Sequence, residues 1–274
     1  MAALAGAELK PVTIRAWDLY VQSADAAMQA RVQPGSSFLW ADEAPGRRSE
    51  LRAGEILVAQ VGERNPRKVP SGLIHHWIGT AFIPNTNIGA VFGVVRDYAH
   101  YKDYYHPTVL DSRSLRQSSA ADRYSMVVMN KSMFLKKALE NDFESSFTQV
   151  SSQKWYSVAT AVRVEEIEDF GQSGEHKLSS GEGSGYVWRL HSITRYEEAD
   201  GGVYIEIEAM ALSRDIPSTL RWVVSPIVRR VSKSAMQVSL RQTQDAVGSY
   251  GHMREGHPAD TPGFASGFLK PSQH

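Results

Sequence analysis

Asp200-Gly201 stands between two long runs of alternating apolar and polar residues, Gly185 to Glu198 and Val203 to Leu212. A two-residue turn of type I′ needs positive φ at both central positions, and Asp-Gly supplies it. The turn therefore fixes a register: Ala199 opposite Gly202, Tyr196 opposite Ile205, Arg195 opposite Glu206, Thr194 opposite Ile207, Ser192 opposite Ala209 and Leu190 opposite Ala211. Side chains alternate between the two faces of a strand, so the register sorts them. One face carries Trp188, Leu190, Ser192, Thr194 and Tyr196 against Ile205, Ile207, Ala209 and Ala211; the other carries Arg189, His191 and Arg195 against Glu206 and Glu208. The apolar row reads as inward. The charged row reads as a solvated ladder worth well under ~1 kcal/mol per pair, against the alternative of a buried functional pair. By the same logic Arg163 and Glu165 point outward, opposite an apolar row of Tyr156, Val158, Thr160, Val162 and Val164.

The hairpin closes a longer series. Strands are expected over Leu73 to Ile83, Val109 to Gln117, Arg123 to Lys136, Asp142 to Val150 and Lys154 to Ile167, ahead of the two runs at the turn. Two short helices, Ile88 to Asp97 and Tyr98 to Tyr105, follow the first strand, and a long helix, Pro217 to Val247, follows the last. Pro226 removes a backbone donor there and should kink or restart that helix at Ser225. Ahead of the series, residues 1–71 read as an N-terminal extension rather than a second domain. It holds an amphipathic helix over Pro11 to Val32, with Ile14, Trp17, Val21, Ala24 and Met28 at helical spacing, and two short strands at Ser37 to Trp40 and Glu55 to Val61. Residues 248–274 are rich in Gly, Pro, Ser and His without apolar periodicity and are expected to be a disordered tail. The fold class is α+β, with the main domain over residues 72–247.

Composition excludes several functions. Lys plus Arg and Asp plus Glu both number 30, so no global field favours nucleic acid. The absence of cysteine removes thiolate nucleophiles, cysteine-based zinc sites and disulfides. Apolar stretches are all well short of the ~20 residues that span a bilayer. Ala5-Gly6-Ala7 has the small-x-small form of a signal-peptidase site but lacks a basic n-region and a long apolar core, which leaves an exported and a cytoplasmic location both open. His75-His76 cannot converge on one ion, because neighbours on a strand face opposite ways. No metal, cofactor or catalytic motif is expected, HExxH and GxSxG being absent. The glycine-rich run Gly181 to Gly185 precedes a strand rather than a helix and reads as part of a mobile loop from Gly171. The sequon Asn130-Lys131-Ser132 falls in an expected strand and is discounted.

The order of elements from Gly72 to Val247, with the segments VVRDYAHYKDYYHPTVLDSRSL (Val94 to Leu115) and GGVYIEIEAMALSRDIPSTLRWVVSPIVRRV (Gly201 to Val231), resembles the START-like, Bet v 1-like helix-grip superfamily. Within it the chain resembles bacterial polyketide cyclase/dehydrase-type (SRPBCC) proteins. Val95, Asp97, Tyr101 and Pro107 match its V-x-D-x-x-x-Y entry into two short helices and the Pro before the next strand. The likeness covers about 176 of the 274 residues and specifies fold better than chemistry. It implies a curved antiparallel sheet gripping the long C-terminal helix around a hydrophobic tunnel. No catalytic pattern carries over residue by residue.

Small inward residues on the hairpin, Ser192, Thr194, Ala209 and Ala211, cannot fill the space under a long helix as Leu or Phe would, which predicts a cavity. Its expected lining is Trp188, Leu190, Ser192, Thr194, Ile207, Ala209 and Ala211 from the hairpin, with Leu220, Val223, Val224 and Ile227 from the helix. Tyr98, Tyr101, Tyr104 and Tyr105 make the second short helix aromatic; a lid is expected there, with Tyr98 and Tyr101 as its candidates, against the plainer reading that these rings pack at the sheet edge. The expected partner is an apolar small molecule such as a lipid, sterol, polyketide or quinone; the alternative is a cyclase- or dehydratase-type enzyme in the same cavity. The inward rows hold hydroxyls but no carboxylate or histidine, which favours a carrier. Arg221, Arg229, Arg230, Lys233 and Arg241 give the helix a basic side, which zero net charge favours reading as a solvated face balanced by nearby carboxylates over a weak dock for an anionic membrane. Nothing in the sequence indicates an oligomeric state.

Overall fold

The computed structural model describes residues 8–132, 135–215 and 218–255, with side chains described outside 130–137, 216–228 and 251–255. The first element is helix α1 (Pro11–Arg31), with Pro in its first turn and Arg31 in its last. Its face at Trp17, Ala24 and Met28 is buried. A 3₁₀ turn (Trp40–Glu43) and helix α2 (Arg47–Arg52) follow, then β1 (Leu57–Gln60), β2 (Arg67–Val69) and β3 (Gly72–Pro84). Helix α3 (Ile88–Val95) starts at Asn87, whose side chain accepts from the Ala90 N–H. A 3₁₀ turn at Tyr98–His100 leads into α4 (Tyr101–Tyr104). Six strands come next: β4 (Val109–Arg116), β5 (Asp122–Ser132), β6 (Leu135–Gln149), β7 (Lys154–Glu168), β8 (His176–Lys177) and β9 (Arg189–Ala199). Strand β10 (Gly202–Arg214) and helix α5 (Ser218–Glu255) end the described chain.

Among the described residues ten strands form one antiparallel sheet in the order β1-β3-β10-β9-β7-β6-β5-β4, with β2 added beside β3 and β8 beside β7. Asp200 and Gly201 have φ of 56° and 77°, the conformation that a type I′ turn requires. Every pair expected from that turn is present, from Ala199 opposite Gly202 to Leu190 opposite Ala211.

The two faces of the sheet are covered by different parts of the chain. On the inner face, Met236, Leu240, Ala246 and Val247 of α5 pack with Trp77, Ala81 and Ile83 of β3, Val203 and Ile205 of β10, and Ile88, Val91 and Val94 of α3. Gly79 lets α5 approach: a Cβ there would lie 2.6 Å from Met236 Sδ and 2.9 Å from a Leu240 methyl. On the outer face, Trp17 and Met28 of α1, with Phe38, Leu39 and Leu51, pack against Ile74, Phe82, Ile193, Tyr204, Met210 and Leu212. The N-terminal segment is thus the second covering layer of the sheet.

That layer overturns the solvated reading of the hairpin's charged row. Arg195 and Glu206 are both 0% exposed. The Glu206 carboxylate accepts from Arg195 Nε (2.8 Å), Thr80 Oγ1 (2.8 Å) and the backbone N–H groups of Trp40 (2.8 Å) and Ala41 (3.2 Å). Arg195 Nη2 reaches Glu208 at 2.9 Å, and His76 bridges Glu208 (2.9 Å) to Tyr20 of α1 (2.8 Å). The β7 row is corrected for the same reason. Tyr156 and Val158 pack with the α1-side cluster, so they face outward. A register shift at Asp142/Phe143 then places Val162 out of step, 53% exposed. Beyond it Val164 joins the inward cluster of Ala161, Tyr98 and Tyr124. Arg163 and Glu165 do lie opposite that inward residue, in a network with Asp142 and Glu140.

Other boundaries shift. Ser37 to Trp40 is not a strand: the chain there enters a 3₁₀ turn, with Leu39 fully buried and Asp42 accepting from its N–H. Strands β5 and β6 pair as far as Ser132 opposite Leu135, so β6 begins seven residues before the expected Asp142. Helix α5 runs as one element through Pro226, without a restart at Ser225, and continues past Val247 to Glu255. The rest of the expected tail lies outside the described residues.

Candidate functional site

Between the inner face and α5 lies a cavity of about 110 Å³ bounded by described residues. The sheet supplies its floor: Ser157 and Ala159 from β7, Ser192, Thr194 and Tyr196 from β9, Ile205 and Ile207 from β10. Tyr124 of β5 and Ser145 and Phe147 of β6 form the far side. Tyr98, Tyr101 and Tyr105, around α4, close one wall with Val95, and Ser239 and Thr243 of α5 form the roof. An engineered cavity of roughly 150 Å³ admits benzene, so this space is on the scale of one small ring.

Local structure explains the lining. Short β9 side chains leave room where α5 crosses. The aromatic wall is held by ring contacts: Tyr98 stacks on Tyr124 with centroids 4.1 Å apart, Tyr124 stacks on Phe143 at 5.2 Å, and Tyr101 meets Tyr98, Tyr105 and Tyr124 edge-on. Behind that wall, Arg96 grips the buried Asp122 carboxylate with two hydrogen bonds, at 2.9 and 3.0 Å. Burial pushes the Tyr98, Tyr101, Tyr105, Tyr124 and Tyr196 hydroxyls above the ordinary tyrosine value, so all five keep their protons at neutral pH.

Of the lining expected from sequence, Ser192, Thr194 and Ile207 reach the cavity, as do the lid candidates Tyr98 and Tyr101. Leu190 packs beside it against the Tyr98, Tyr124 and Phe143 cluster. Ala209 contributes to the packing under α5, and Ala211 is half-buried. Trp188 precedes β9, escapes its alternation, and is buried in the α1-side cluster. Leu220, Val223, Val224 and Ile227 belong to α5, but their side chains lie outside the described residues. Arg229, Arg230, Lys233 and Arg241 are exposed; the Arg221 side chain lies outside the described residues.

Tyr105, from the same aromatic helix as the lid candidates, also lines the cavity, whereas sequence reading missed Tyr124, Ser239 and Thr243. A signal existed for the helix pair. Met236, Leu240, Thr243 and Val247 recur at helical spacing and are buried, and a hydroxyl within such a stripe marks a polar gap in the core. Also missed was Glu166, which alternation from Val164 places on the inner side of β7 once the bulge is passed. It accepts from the Ser184 N–H at 3.0 Å and hydroxyl at 2.6 Å, which pins the Gly171 to Gly185 loop to the sheet. His75 bonds Ser213 Oγ while His76 turns to α1, so the two rings diverge.

Strand, two short helices, a run of strands and a long helix laid on the concave face complete the architecture. The chain has the helix-grip fold. No protein-family model and no curated protein matches its sequence. Solved structures that resemble it include the STAR-related lipid transfer protein from Xanthomonas axonopodis, with a TM-score of 0.46 and 12% identity over 70% of this chain and 98% of that one. Human STARD10 has a TM-score of 0.46 and 13% identity over 83% and 87%. The Zhui aromatase/cyclase from Streptomyces sp. R1128 has a TM-score of 0.41 and 11% identity over 69% and 99%.

Proposed function

We propose that this protein binds a hydrophobic small molecule in the helix-grip cavity, as a carrier or receptor rather than an enzyme. The observation that carries this reading is the character of the cavity wall. It combines aromatic rings and aliphatic groups with hydroxyls from Tyr, Ser and Thr, and the described lining contains no carboxylate, imidazole or amine. Such a wall gives shape and a few orienting hydrogen bonds, which is what ligand binding needs. Proton transfer near neutral pH needs a group that titrates there, and tyrosines raised by burial do not. Ligand identity follows from denaturing mass spectrometry of gently purified protein. A stoichiometric organic molecule of low polarity is the expected result; bare protein that also fails to take up added toluene contradicts the reading.

The cyclase- or dehydratase-type alternative draws on one residue, Glu166, an inward carboxylate 5% exposed that lies on β7 outside the described cavity lining. Under that alternative Glu166→Gln abolishes turnover of an aromatic precursor while ligand binding persists. Under the carrier reading Glu166→Gln loosens the Ser184 loop and leaves binding unchanged.

A further inference from the structure

The hydroxyls around the cavity are not equivalent, because each has one proton to give and two lone pairs to offer. Tyr98 donates to Asp122 Oδ2 at 2.9 Å. That carboxylate, held by Arg96 and by the Ser118 N–H at 3.1 Å, can only accept, so the direction is fixed. Tyr101 donates to the Val95 carbonyl at 2.6 Å, again a group with no proton to return. Tyr105 and Thr243 Oγ1 lie 3.1 Å apart, and the next link settles which donates. Thr243 spends its single proton on the Ser239 carbonyl at 2.9 Å, so it must accept from Tyr105. Three of the five tyrosines that line the cavity, those around α4, thus have their protons committed to protein acceptors.

We propose that this wiring makes the tyrosine wall an acceptor surface, so that the cavity selects ligands that donate hydrogen bonds, phenols in particular, over carbonyl compounds of the same size. The proposal rests on the cavity being a binding site and goes beyond it by naming the ligand's chemistry. A carbonyl oxygen placed against Tyr98, Tyr101 or Tyr105 meets another oxygen with no proton between them, and both are left unsatisfied in a water-poor space. A phenol brings the missing proton. The other hydroxyls of the lining, on Tyr124, Tyr196, Ser145, Ser157, Ser192, Thr194 and Ser239, are not wired in this way and serve either kind of ligand, so a phenol can use both sides of the cavity and a carbonyl compound only the other one.

Three probes of one-ring size separate the contributions: phenol donates and accepts, benzaldehyde only accepts, and toluene does neither. In NMR titrations the wild-type protein is expected to bind phenol about tenfold more tightly than benzaldehyde, the ratio that one satisfied against one unsatisfied hydrogen bond gives. Thr243→Val keeps the side-chain shape but removes the acceptor of Tyr105, whose proton is then released to the cavity. In that variant benzaldehyde should gain several-fold while phenol gains little, whereas a purely structural role would move both in proportion. Tyr105→Phe should bring phenol closer to toluene. Benzaldehyde binding as tightly as phenol in the wild type, or a proportional change in Thr243→Val, overturns the proposal while leaving the cavity a binding site. Failure of all three probes, toluene included, overturns the cavity reading and the proposal together.

Discussion

Beneath α1 the outer face of the sheet carries Arg195, Glu206, Glu208 and His76, tied to one another and to Tyr20, Thr80 and the backbone at Trp40 and Ala41. Beneath α5 the inner face of the same strands carries short hydroxyl and alkyl side chains and leaves about 110 Å³ empty. The outer side spends its polar groups on one another and so fixes the position of the N-terminal segment. The inner side keeps part of its hydrogen-bonding capacity facing open space. On the proposed reading the charged layer is the structural one and the hollow layer the functional one, contrary to the usual association of buried charge with a site.

This contrast can be broken by mutation, beginning with the largest expected effect. Arg195→Gln leaves Glu206 and Glu208 buried without their cation and should cost about 3–5 kcal/mol in urea unfolding, as removal of one partner from a buried pair does. A loss under ~1 kcal/mol would mean that the outer layer is open to water and the two faces are less different than described. Next comes pH. Burial raises the Glu208 carboxyl, but the hydrogen bond from His76 and the charge of Arg195 outweigh it and hold it at about 2, below its ordinary 4.5. A depressed carboxylate stabilises the fold above its unfolded value and loses that contribution as pH falls through the folded one. Stability should therefore drop by on the order of 3 kcal/mol between pH 4.5 and 2, and Glu208→Gln should flatten that part of the curve.

On the inner side, Gly79→Ala pushes against Met236 and Leu240. It should cost about 1–2 kcal/mol, since both contacts are ends of flexible side chains that can shift. The smallest effect is expected where the outer face is uncovered. Arg123 and Glu144 pair at 3.0 Å with side chains 47% and 44% exposed, so Arg123→Gln should change stability by less than ~1 kcal/mol. A larger cost there would show that charge pairing alone, without the N-terminal cover, explains the behaviour of Arg195.

How much of this was legible in the sequence divides along the same line. Asp200-Gly201 gave the hairpin register residue for residue, because the turn type admits one pairing. Strand alternation does not say which side faces water when both faces are covered, and here residues from α1 to Leu51 lie over the side that carries Arg195. A charge ladder between strands reads identically whether solvated or buried; only the apolar residues Trp17, Met28, Phe38 and Leu39, far away in sequence, decide it. The bulge at Val162 has no signature in composition, and it separates the outward Tyr156 and Val158 from the inward Val164 and Glu166, which simple alternation would put on one face. Ser192, Thr194 and Ile207 were found because small or apolar inward residues follow from register alone. Ser239 and Thr243 were missed because where a helix crosses a sheet depends on contacts such as Gly79 with Met236, which no local pattern encodes.

The central claim is that the hollow inner side is the binding site, and Ser192→Phe tests it most directly. Ser192 lies on the β9 floor of the cavity, opposite Ala209 in the hairpin, and a phenyl ring there occupies the space that a ligand would take. Toluene and phenol titrated into the wild-type protein, followed by NMR, should saturate a single site and shift resonances of the cavity tyrosines. In Ser192→Phe, with the far-ultraviolet CD spectrum unchanged, both should cease to bind. Equal binding by the two proteins, or shifts confined to residues outside the cavity, would contradict the account.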